Sequence, residues 1–133
     1  FIVGALRAAG QLAVSLVAMD GDVLIGHVAV SPVVISDGAK AWFGLGPISV
    51  APEHQRQGVG AALMRGALAQ LHELGAAGCV VLGDPEYYAR FGFKAEPSLV
   101  LPDVPPEYFQ AVAFNAPLPR GMVAYHAAFA AEA

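Results

Sequence analysis

The chain has one cysteine, few charges, no basic cluster and no long unbroken apolar run, and each shortage removes a class of protein. A single cysteine cannot form an internal disulfide, so the chain fits a reducing cytoplasm and not a disulfide-stapled scaffold. Cys79 lies between Gly78 and Val80 in a short apolar segment, where it reads as a small buried hydrophobe and not as a nucleophile. Charged residues make up 14% of the chain, and 7 Lys and Arg against 11 Asp and Glu leave a formal charge of −4, which speaks against nucleic acid as a partner. A mildly acidic surface suits a cationic amine better. Although the composition is 56% hydrophobic, no apolar run reaches the uninterrupted length a membrane helix needs. The nearest, residues 14–30, is interrupted by Asp20, Gly21, Asp22 and His27. No His, Cys, Asp and Glu set has metal-ligand spacing, and no Gly-x-Ser-x-Gly elbow exists, so neither a metal nor a hydrolase nucleophile is expected.

What is present is 133 residues, enough for one domain with a real core, in a pattern that mixes strands with one long helix. Residues 12–19 and 23–30 alternate about the turn Asp20-Gly21-Asp22 and predict an antiparallel hairpin. Residues 31–40 read as a loop, and 41–50 as a third strand in which Gly44, Gly46 and Pro47 weaken the ladder and suggest a bulge. Residues 59–74 place Val59, Leu63, Ala67, Leu71 and Leu74 on one helical face, with Gly75 as the stop. A short buried strand at 78–82 should then run parallel to the third, because a helix connects them. A short helix at 86–91 follows, and two later strands, 108–115 and 122–129, should pair across the turn at 117–121.

The segment Val50-Ala51-Pro52-Glu53-His54-Gln55-Arg56-Gln57-Gly58-Val59-Gly60 sits where the third strand hands over to the helix. The first amides of a helix lack partners within it and carry the positive end of its dipole, so this junction is suited to an anion. Two glycines let backbone approach the ligand closely. No Lys follows them, as a Walker loop requires, and the third glycine of a dinucleotide fingerprint is replaced by Leu63.

What the segment matches is Gln/Arg-x-x-Gly-x-Gly/Ala, as Gln55-x-x-Gly58-x-Gly60, and it resembles the pyrophosphate loop of the GNAT superfamily of acetyl-CoA-dependent N-acetyltransferases. Further on, Tyr87-Tyr88-Ala89-Arg90-Phe91-Gly92-Phe93 is similar to that family's aromatic-Tyr-x-x-x-Gly-Phe segment, with Tyr88 four residues before Gly92. The resemblance implies an α/β (α+β) GNAT fold, a mixed central sheet flanked by helices, acting as an N-acetyltransferase on a primary amine by direct attack. A non-catalytic acyl-CoA-binding or sensor module on the same fold is the alternative. It implies a bulged third strand that splays from its neighbour and opens a slot for the pantetheine arm of the co-substrate acetyl-CoA. The cofactor-binding set it implies is Ile48, Val50, Gln55, Arg56, Gln57, Gly58, Val59 and Gly60, mostly through backbone. The Val50 N–H is the candidate oxyanion donor, and the Arg56 side chain turns either inward or to water.

Tyr88 is the candidate general acid, since a phenol with a pKa near 10 matches an alkyl thiol; Tyr87 reads as core. No base is identifiable among Glu53, His54, His27, Asp84 and His126, and a water chain serves equally. The family also carries a first strand and most of two helices before the point at which this chain begins. Residues 1–10 read as the last turns of a helix closed by Gly10, so an N-terminally incomplete domain is the expectation. Acceptor identity is open, and the apolar C-terminal strands allow a homodimer.

Overall fold

In the computed structural model, residues 14–55, 57–114 and 117–125 are described. The expected helical end at residues 1–10, Arg56 and His126 lie outside them. Strand β1 (Val14–Asp20) and strand β2 (Val23–Ile35) form the hairpin the alternation predicts, turning through Gly21 and Asp22 with Gly21 at φ 61°. β2 is longer than expected. Residues 31–35, read as loop, continue the strand, because β1 ends its pairing at Val30 and a C-terminal strand takes over the same edge from Val33. Pro32, which lacks an N–H, falls in the handover between those two partners.

Strand β3 (Trp42–Val50) pairs antiparallel with β2 and carries the expected bulge. Between Val28↔Ile48 and Val30↔Leu45, β3 takes three steps while β2 takes two, and Gly46 absorbs the irregularity at φ 143°. Strand β4 (Gly78–Leu82) runs parallel to β3 but is paired with it only from Trp42↔Gly78 to Gly44↔Val80. Past Gly44 the two strands part.

Helix α1 (Val59–Glu73) connects β3 to β4 and packs across β1, β2 and β3 through Leu63, Met64, Ala67 and Leu71. Leu74 has the right angular position but is exposed, because it caps the helix past its last turn. Gly75, at φ 79°, closes the end: its N–H donates to the His72 carbonyl and the Ala76 N–H donates to that of Leu71. Helix α2 (Pro85–Ala89) is shorter than expected and starts where Asp84 Oδ1 accepts from the Glu86 N–H at 3.0 Å.

The remaining strands are β5 (Lys94–Ala95), β6 (Leu99–Val100), β7 (Phe109–Ala113) and β8 (Gly121–Tyr125). The sheet order is β5-β7-β4-β3-β2-β8-β6, with β1 also on β2. The expected β7–β8 hairpin is therefore corrected. β7 takes the free edge of β4, antiparallel from Leu82↔Phe109 to Gly78↔Ala113, while β8 takes the extension of β2. Side chains at the end of β2 secure β8 there: Ser36 Oγ accepts from the Met122 N–H and Asp37 Oδ2 from the Arg120 N–H, each at 2.9 Å.

Apolar clusters form on both faces of this mixed sheet. Cys79, Val81, Tyr88 and Phe93 join the α1 side chains on one face. Val33, Ile35, Trp42, Val80, Leu99, Phe109 and Val123 form a second cluster on the other. Cys79 is fully buried, as expected, and burial pushes its thiol up to about 12 from an ordinary 9.0. The native protein is expected to leave Cys79 unreactive toward a disulfide reagent at pH 8 until denaturant is added; rapid native labelling would contradict its burial. The raised thiol favours the neutral form in the folded state, so this contribution to stability is complete below pH 9 and is lost as pH rises toward 12.

Candidate functional site

The mouth of α1 is open. Gly58 is its N-cap at φ 84°, ψ 4°, with no side chain capping the first turn and no acidic residue within it. The first bond inside the helix is Ala62 N–H to the Gly58 carbonyl at 3.0 Å, so the amides of Val59, Gly60 and Ala61 point out of the helix without a partner in it. The two glycines do different things. Gly58 supplies a left-handed backbone that L side chains resist, whereas a Cβ on Gly60 would stand 3.2 Å from the Tyr87 hydroxyl and 3.8 Å from Val50 Cγ2.

A cleft of about 390 Å³ lies at this mouth, lined by Val50, His54, Gln55, Gly58, Gly60, Ala61, Tyr87 and Arg90. Tyr87, expected as core, is in fact half-buried and turns its hydroxyl toward Gly60 while its ring packs against the core. Arg90 stacks over that ring at 4.9 Å and gives the cleft a guanidinium. The sequence reading takes Tyr87 as core and gives Arg90 no role in the site. Their i, i+3 spacing on a short helix, which puts them on one face, was the available signal.

Gln55 spends its side chain on the scaffold: Nε2 donates to the Val50 carbonyl at 3.2 Å, tying the loop to the end of β3. Gln57 faces away from the cleft, its amide within 3.4 Å of the Glu53 carbonyl and its Oε1 3.3 Å from His54 Nδ1. Val59 and Gln57 line a separate depression toward β1. Any contact of these two with a ligand at the helix mouth is left to their backbone.

Backbone direction along β3 follows from the ladder. The Ala51 N–H donates to the Ile25 carbonyl at 2.7 Å, so Ala51 and Ser49 turn their polar groups toward β2. By the alternation of an antiparallel pair, Val50 and Ile48 turn theirs to the opposite edge. That edge is where β4 has parted from β3. Gln55 occupies the Val50 carbonyl and leaves the Val50 N–H facing the gap.

A second cleft lies where the two strands part. Leu45, the first residue of β3 past the paired segment, shares a cleft of about 250 Å³ with Leu82, Leu101 and Tyr125. Leu101 and Tyr125 pack against the second core cluster. Tyr88 stands at the end of β4, with its ring on Gly83 and edge-on to Phe93 at 6.0 Å. Burial first, then the neighbouring Tyr87 and Asp84, raises its phenol above the ordinary tyrosine value. The Tyr125 phenol is also raised, by burial and then by Cys79 and Tyr88, which puts Tyr88 and Tyr125 within electrostatic reach of each other.

Of the candidate bases, His54 is on the helix-mouth side, Asp84 is engaged as the α2 cap, and Glu53 is exposed in a 3-10 turn (Pro52–His54). His27 lines a shallow depression with Ser49 and Ala51. Among the described residues, no group of three His, Cys, Asp or Glu side chains could hold a metal, and no helix is long and apolar enough to cross a membrane.

The family model of the acetyltransferase (GNAT) domain matches residues 11–95. The uncharacterised N-acetyltransferase YhbS of Escherichia coli K12 is 41% identical over 90 residues, which cover 67% of this chain and 54% of YhbS, so the chain spans about half the length of that relative. A crystal structure of a GNAT family acetyltransferase from Brucella melitensis in complex with acetyl-CoA superposes with a TM-score of 0.83 at 52% identity, covering 96% of this chain and 75% of that one. The Escherichia coli YhbS structure in complex with CoA gives 0.86 at 34% identity, covering 97% and 76%. An uncapped helix mouth, a bulged strand that parts from its parallel neighbour, and these likenesses agree: the chain belongs to the GNAT acetyltransferase family.

Proposed function

We propose that the protein is an N-acetyltransferase that moves the acetyl group of acetyl-CoA to a primary amine by direct attack. The observation that carries this reading is an uncapped helix mouth with a cleft beside it, followed by the stretch of β3 past Gly44 that β4 no longer pairs with and a second cleft at Leu45 and Leu82. The chain's groups fit acetyl-CoA at these places. The amides of Val59, Gly60 and Ala61, which bond nothing within the helix, with Arg90 beside them, suit a diphosphate, and no carboxylate is among the described residues lining the cleft. The polar groups of Ile48 on the β3 edge that β4 has left suit the amides of a pantetheine arm, and the Val50 N–H, whose carbonyl Gln55 occupies, is left for the thioester carbonyl.

The co-substrate supplies an activated acyl group. The Val50 N–H stabilises the negative charge that develops on the carbonyl oxygen, a role worth a few kcal/mol for one well-placed donor. As the amine nitrogen bonds to the carbonyl carbon and the C–S bond breaks, Tyr88 gives its proton to the departing sulfur. The proton lost by the amine leaves through water, since no histidine or carboxylate is among the described residues lining the cleft of Leu45, Leu82, Leu101 and Tyr125. A raised phenol pKa keeps Tyr88 protonated through neutral pH. Turnover on this limb therefore stays level to about pH 10 and falls as pH rises through the folded value.

Thiol release from acetyl-CoA across a panel of amines tests the reading. Amine-dependent release supports it. Binding of acetyl-CoA by calorimetry with no release for any amine would instead favour an acyl-CoA-binding module. Exposed Val34, Met122 and Val100 on the adjacent strands β2, β8 and β6 support a homodimer through this part of the sheet, which light scattering on the purified protein checks.

A further inference from the structure

Leu101 lines two cavities at once: the cleft at the parting of β3 and β4, and an apolar cavity of about 300 Å³ beyond it. A second link joins them, because Leu82 of the first is the ladder partner of Phe109 in the second, which puts both side chains on one face. Leu99 and Phe109, both buried, form the floor, and Val104 packs beside them. The charged residues in the lining are Glu96 and Glu107, with no Lys, Arg or His among them. The volume suits a small organic molecule.

We infer that this cavity receives the body of the acceptor, and that the acceptor is a primary amine with an apolar alkyl or aryl body bearing a second positive charge. The inference rests on the acetyl-transfer reading for what happens to the first amine. That amine lies in the cleft of Leu45, Leu82 and Tyr125, the apolar body lies against Leu99, Leu101, Val104 and Phe109, and the second ammonium meets Glu96 and Glu107. A hydroxyl-rich amine is disfavoured, since its polar groups lose water to an apolar wall that offers no hydrogen bonds.

The test compares 1,6-diaminohexane, hexylamine and glucosamine, by thiol release at saturating acetyl-CoA and by calorimetry with CoA bound. The diamine is expected to have a kcat/KM at least about 10-fold above hexylamine, and hexylamine about 10-fold above glucosamine. The double variant Glu96→Gln, Glu107→Gln should erase the diamine's advantage without changing hexylamine. Val104→Lys should raise KM for both while the KM for acetyl-CoA stays as it was. Equal use of glucosamine, or indifference of diamine turnover and binding to both variants, overturns the inference while leaving acetyl transfer standing. Diamine binding that the variants abolish, with no thiol released by any amine, leaves the cavity assigned and removes the transfer.

Discussion

Tyr88→Phe is expected to lower kcat by about 10²- to 10⁴-fold while the Kd for acetyl-CoA stays within about twofold. The substitution deletes one oxygen and keeps the ring on Gly83 and Phe93, so folding and the helix mouth are preserved. What it removes is the proton donor at the end of β4. Because the burial-raised phenol defines the alkaline limb of the pH profile, that limb should vanish from the residual activity of the variant. Steady-state thiol release between pH 6 and 11, with calorimetry for the co-substrate, makes the measurement. Unchanged turnover would return Tyr88 to the role of a packing residue, and the proton would have to come from water or from Tyr125.

Gly60→Val should weaken acetyl-CoA binding by about 100-fold or more, close to 3 kcal/mol on the standard conversion. A Cβ there already meets the Tyr87 hydroxyl at 3.2 Å, and two further methyl groups would occupy the space the diphosphate needs. Valine is a better helix residue than glycine, so α1 should not be weakened by the change itself. Gly58→Ala acts differently. It meets nothing within 4 Å but must hold φ 84°, a strain of about 1–2 kcal/mol that tilts the first-turn amides and not one that fills the cleft. Calorimetry and thermal melts on both variants separate the two: lost affinity at constant stability for Gly60→Val, loss of both for Gly58→Ala. Equal affinity for Gly60→Val and the parent would place the co-substrate elsewhere.

Much of this site could be read from the residues because its parts are local. Gly58 and Gly60 with α1 after them, or Gly44 and Gly46 inside β3, announce a helix mouth and a bulge within a few residues of chain, where turn chemistry and periodicity act. Partner choice between strands is not local. Residues 109–113 and 121–125 alternate well enough to be strands, yet alternation says only that a strand has two faces and is silent on which edge it joins. The free edge of β4 and the long end of β2, with Ser36 and Asp37 reaching β8, decide that question. Residues 31–35 read as loop for the same reason: Pro32 is a local signal for a break, and the strand on either side of it is stabilised by partners distant in sequence.

Tyr87 and Arg90 show the same limit at the scale of one helix. Their shared face is visible in the spacing, but α2 meets the mouth of α1 only through the tertiary fold, which brings a tyrosine hydroxyl opposite Gly60 and an arginine beside it. The apolar cavity behind Leu101 is further still from sequence, since its walls come from β5, β6, β7 and the segment between them. Backbone roles leave least trace of all. Nothing in the letters Ile48 and Val50 distinguishes them from Ser49, and only the ladder, through the Ala51 to Ile25 bond, shows which of the three turn to the gap.

A crystal structure of the protein with acetyl-CoA bound tests the central claim most directly. The account expects diphosphate oxygens about 3 Å from the amides of Val59, Gly60 and Ala61, a normal hydrogen-bond distance, with the pantetheine arm along the free edge of β3 and the thioester carbonyl at the Val50 N–H. A helix mouth filled by the protein's own side chains, with the carrier docked on another surface, would contradict it.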